Sequence, residues 1–137
     1  MSVDSFFFIR DDRLPTVQQW QSALDSAGVG IVLGNIGDLR KHSGYLPAKR
    51  RELTTGFEWV YGSLAETYGG DPLEGLGDRG HVIDVITHSR MDELVCGIYA
   101  VAVLAQLTDG LYLDEDSGEL VTGAAALEIA RKIEQFA

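Results

Sequence analysis

The sequence predicts an α+β fold: one domain over residues 1–137, with a mostly antiparallel sheet packed against about three helices, one of them (about 90–108) centrally buried. Three observations carry this. Short apolar and aromatic runs of strand length recur without regular alternation with helices, which argues against a doubly wound parallel sheet. Twelve of the fourteen residues from Leu94 to Leu107 are apolar, leaving no polar stripe, and a helix apolar on every side is buried on every side. The length of 137 residues suits a single core that needs no covalent staple.

The elements follow in order. "SFFFIR" (5–10), stopped by "DDRLP", reads as a buried first strand. In "PTVQQWQSALDSAG", Val17, Trp20, Leu24 and Ala27 fall at helical spacing, with Pro15 before and Gly28 after. "VGIVLG" (29–34) is a second strand. Residues 35–54 are polar and broken by Gly37, Gly44 and Pro47, so they read as a connector, and "GFEWVYGSL" (56–64) returns to strand character. "ETYGGDPLEGLGDRG" (66–80) is a glycine-rich loop, and "HVIDVITHS" (81–89) is another strand. Over 90–108 the spacing predicts the central helix, with Ser89 as its cap, Asp92 and Glu93 at the positive end of its dipole and Gly110 as its stop. "LYLDEDSGELVT" (111–122) forms a hairpin around Ser117–Gly118. The last helix is capped by Thr122 and buries Ile129, Ile133 and Phe136 on one face.

Composition bounds function. The 45% apolar and 23% charged residues are those of a folded chain, and the net charge of -10 repels nucleic acid while steering in a basic partner. No basic, apolar leader of the secretory type opens the chain, and the apolar run at 94–107 is short of a bilayer span, so a soluble, cytoplasmic protein without membrane attachment is expected. Five of the eleven basic residues, Arg40, Lys41, Lys49, Arg50 and Arg51, cluster between 39 and 59. No glycine loop opens a helix there to cradle phosphate, and Asp38, Glu52 and Glu58 flank the run, which leaves a solvated strand edge or a partner-binding loop.

Motifs for chemistry are weak. "GLGDRG" (75–80) matches a dinucleotide fingerprint in reversed context, with a loop before it and a strand after it. "DEDSGE" (114–119) resembles the start of a calcium loop, but the position for its bidentate Glu is Ala125, and an exposed turn explains the composition. His42, His81 and His88 lack ligand spacing, and Cys96 lies in the apolar helix as a small core residue. No catalytic set, metal site or cofactor is expected.

"HSGYLP" (42–47) leading to "GFE" (56–58), an alanine-rich helix with Glu93 and Gly97 four apart, and "TDGLYLD" (108–114) are together suggestive. The chain resembles small bacterial immunity proteins that accompany polymorphic and type VI or Rhs-type toxins. The resemblance implies a cytoplasmic protein, monomer or homodimer, that binds a cognate basic toxin domain and blocks its active site without catalysis. Charge then points to the acidic turn Asp109, Asp114, Glu115, Asp116 and Glu119 as the contact, with Tyr45, Arg50, Tyr68 and Tyr112 as anchors. Two other classes stay open. One is a small enzyme or ligand-binding domain with residues 65–80 as a lid, equipped with Glu66, Asp71, Glu74, Asp78 and Arg79. The other is an effector adaptor or chaperone, which an exposed apolar patch would favour.

Overall fold

A computed structural model describes residues 2–68, 74–88 and 90–136, without the side chains of Thr67 and Tyr68. The fold is α+β. Seven strands form one antiparallel sheet in the order β2-β3-β4-β5-β1-β6-β7, where β1 is Ser2–Ile9, β2 Ile31–Leu33, β3 Gly44–Arg50, β4 Leu53–Ser63, β5 His81–His88, β6 Leu111–Asp114 and β7 Glu119–Thr122. The helices are α1 (Val17–Ala27), α2 (Leu64–Tyr68), α3 (Met91–Thr108) and α4 (Gly123–Gln135), with a single 3₁₀ turn at Asp11–Arg13.

α1, α3 and α4 cover one face of the sheet. α3 lies against β1, β4 and β5 and contacts both other long helices. Its residues from Val95 to Ala105 are buried without interruption, as the absence of a polar stripe predicts. By length and composition alone it would also suit a membrane span, but two-thirds of it is buried inside the fold. Trp20 of α1 and Trp59 of β4 are fully buried, with ring centroids 5.4 Å apart. Each indole N–H is satisfied, Trp20 donating to the Ala100 carbonyl (2.9 Å) and Trp59 to the Leu39 carbonyl (3.1 Å). A Cβ on Gly123 would stand 2.5 Å from the Gln106 backbone nitrogen and 2.8 Å from the Ala102 carbonyl oxygen, so the start of α4 meets α3 backbone to backbone.

The second face is divided. Phe8, Leu64, Leu76 and Val82, with Phe6, Leu113 and Leu120 against them, form a small core under α2 and the 74–80 turns. Toward β2 this face is bare among the described residues, with Val32, Tyr45 and Val60 exposed.

Four expectations are corrected. Residues 44–50 are a strand, not part of a connector: β3 pairs with β4 along its whole length and with β2 over Ala48–Arg50. A fourth, short helix occupies 64–68, where a strand end and loop were expected. α3 has Arg90 at its N-cap position and stops at Asp109, in the left-handed conformation (φ 55°), rather than at Gly110; Ser89 lies outside the described residues. Phe136 does not join Ile129 and Ile133 against the core but is 86% exposed.

Candidate functional site

The main concave feature built from the predicted site residues is a wedge where the sheet opens. β1 pairs with β5 over all of Ser2–Ile9, whereas the β1–β6 register among the described residues matches Phe7 with Tyr112 and Phe8 with Leu111. Toward the start of β1, Val3, Asp4 and Ser5 and the β6–β7 turn line a cavity of about 530 Å³. Leu94 and Ile98 of α3 and Ile129 and Ile133 of α4 give it an apolar floor, extended by Val3 and by the exposed Phe136. Asp4, Asp114, Glu115 and Asp116 rim it, and among the described residues Lys132 is the one basic side chain in its walls.

The rim's shape is fixed by its turn. Gly118 (φ 74°) donates to the Asp114 carbonyl at 2.7 Å. Both Asp114 carboxylate oxygens are used inward, one accepting from the Asp116 amide (3.1 Å) and the other from the Ser117 hydroxyl (3.1 Å). Asp114 therefore holds the loop, and Glu115 and Asp116 are exposed without a basic partner among the described residues. Tyr112 lies beneath them, its ring 4.7 Å from that of Phe7. Burial pushes its hydroxyl above the usual phenol range, the bond with Ser5 pulls the other way, and the three acids add to the rise.

Of the residues named from sequence, Tyr112, Asp114, Glu115 and Asp116 meet at this wedge. The others do not. Asp109 caps α3, and its carbonyl accepts from Arg79 at 2.8 Å; Glu119 opens β7. Tyr45 is half-exposed on the bare face, with β4 and β5 between its strand and β1. Arg50 turns inward: it pairs with Glu134, lies 4.6 Å over the Tyr99 ring and donates to the Val29 carbonyl. The side chain of Tyr68, and residues 69–73 of the 65–80 segment with Asp71, lie outside the described residues.

A second cluster draws on four distant segments that spacing alone does not connect. The Tyr61 hydroxyl donates to Asp11 Oδ1 (2.6 Å), which also accepts from Arg40 Nε (3.1 Å), and His81 Nε2 stands 3.8 Å away. Tyr61 stacks on His81. The Tyr61 bond holds the Asp11 carboxyl below its usual range against the opposing effect of burial, with Arg40 helping. Burial, then Asp11, holds the Tyr61 phenol neutral far above its own range. A fixed anion, a neutral phenol and a guanidinium bonded to one another tie the 3₁₀ turn, the 38–41 loop and the sheet together. Cys96 is buried, and burial pushes its thiol up to about 12, so it carries no thiolate near neutral pH. Among the described residues, no group of three or more His, Cys, Asp or Glu could hold a metal ion.

Fold and wedge together define an α+β domain with an acid-rimmed, apolar groove. No protein-family profile, curated protein or solved structure matches the chain.

Proposed function

We propose that the chain is a cytoplasmic capture protein that binds a basic toxin domain and occludes its active site without catalysis. The observation that supports it best is the joining of two recognition elements in one wedge: exposed carboxylates at Glu115 and Asp116, and an apolar floor ending in Phe136. Exposed acids accelerate encounter with a cationic surface, and an apolar floor supplies the short-range affinity that slows release. The toxin as partner class comes from the resemblance carried by "HSGYLP", "GFE" and "TDGLYLD". The apolar floor also fits an adaptor that holds an effector's apolar segment, which would deliver its partner rather than silence it.

Co-expression with a basic toxin domain encoded by a neighbouring gene, identified from the genome, tests the reading. Rescue of growth and co-purification are expected. Co-purification without rescue favours the adaptor, and the absence of both overturns capture.

A further inference from the structure

We infer that the free edge of β1 at Ser2–Asp4 is a strand-addition site, which takes an extended, basic segment of the partner into the wedge. This rests on the capture reading above and names its mode of binding. β1 has a ladder neighbour on one side along its whole length, but over the exposed residues Ser2–Asp4 it has none on the other side among the described residues, whereas Ser5 is buried against Tyr112. Alternate residues of an antiparallel strand aim N–H and C=O at each neighbour, so this edge presents unused ladder groups over roughly 10 Å. Such edges bind extended peptides through their backbone, and pockets for alternate side chains supply the specificity.

The wedge provides both kinds of surface. Val3 and Ser5 pair with Thr87 and Val85 on the helix-covered face, while Asp4 points to the opposite face. An added strand repeats that alternation. One set of its side chains descends onto the floor of Leu94, Ile98, Ile129 and Ile133, and the other passes Asp4 and the acidic turn. Charge selects the occupant. A second copy of this chain added at the same edge would bring two sets of Asp4, Glu115 and Asp116 together, which like-charge repulsion opposes. A heterologous segment alternating apolar and basic residues meets complementary surfaces on both faces.

The probe is a synthetic peptide of alternating valine and lysine, with amide exchange of Ser2–Asp4 followed by NMR on the full chain. With free peptide at ten times its Kd, exchange of the outward-facing amides is expected to slow about tenfold. A valine–glutamate peptide is expected to give no protection. No binding, binding without protection of these amides, or equal protection by the glutamate peptide would each overturn the proposal. Protection that grows with protein concentration alone would assign the edge to self-association and overturn it as well. The two readings fail separately. Toxin rescue with unprotected β1 amides in the toxin complex removes strand addition and keeps capture, whereas peptide protection without rescue or co-purification keeps the edge site and removes the toxin.

Discussion

Asp84 stands half-buried on the second face of β5, opposite Phe6 on β1 and Val60 on β4. Burial, reinforced by the charge of Asp4, a hydrogen bond with it and the charge of Glu58, pushes its carboxyl up to about 6, and its Oδ1 is buried with no hydrogen-bond partner among the described residues. The fold therefore prefers the protonated acid. That contribution is complete below the ordinary value of 3.8 and is lost as pH rises through about 6. Asp84→Asn imitates the protonated form, so it should raise Tm near pH 8 and change it little near pH 4, as thermal melts at the two pH values will show. Glu134 behaves oppositely. Burial would raise its carboxyl, but the bonds from Arg50 and Tyr99 prevail and hold it below its ordinary value of 4.5. Its contribution is present above that value and is lost as pH falls below it. Glu134→Ala strips Arg50 and Tyr99 of their shared acceptor and should cost about 2 kcal/mol at neutral pH, with a smaller loss in acid. Urea titration at both pH values measures the difference.

At the scale of elements, local chemistry decides what is legible. α1 is readable because its signals are in the chain itself: the Thr16 hydroxyl accepts from the Gln19 backbone amide at 3.1 Å, the Gln19 side-chain oxygen accepts in turn from Thr16 N–H at 2.9 Å, and Gly28 ends the helix with φ 69°. Thr16→Ala should cost about 1 kcal/mol, seen as a Tm lower by about 3 °C. β3 is hidden because Pro47, Gly44 and its basic residues are the marks of a connector. Pairing tolerates the proline. Pro47 faces β2, where its carbonyl accepts from the Gly34 amide at 2.8 Å, and the donor it lacks falls where β2 ends at Leu33. The wedge is only half legible. Its acids form one run in the sequence, but its floor comes from residues of α3 and α4 that read as ordinary core, and its opening depends on where the β1–β6 ladder stops. Phe136 continues the helical spacing of Ile129 and Ile133, yet the C-cap at Phe136 ends α4 and the ring stays in solvent. The α3–α4 approach at Gly123 is equally invisible in one dimension. Gly123→Ala should lower stability by about 1–3 kcal/mol, because backbone atoms rather than a flexible side chain occupy the space; denaturant midpoints will report it.

Across the whole molecule, the charge of -10 and the wedge act at different distances and so in different rate constants. Much of the basic equipment is tied down internally. Arg40 is bonded to Asp11, Arg50 to Glu134, Arg79 to Asp109 and Arg90 to Asp92, which leaves the exposed acids of the turn to set the local field. Screening reaches about 8 Å at physiological ionic strength, so that field governs approach, while the apolar floor is felt only on contact. Replacing Glu115 and Asp116 with lysine should therefore lower the association rate for a basic partner about tenfold at low salt, with the gap to the native chain closing as salt rises and the dissociation rate changing little. Phe136→Ala should do the reverse, leaving association almost unchanged at every salt concentration and speeding dissociation, because it removes contact area without altering charge. Stopped-flow or surface-binding kinetics over a salt series separates the two variants. Equal association rates for the native and lysine-substituted chains at low salt would mean that the partner does not approach through the β6–β7 turn, and the acid-rimmed wedge would lose its electrostatic role.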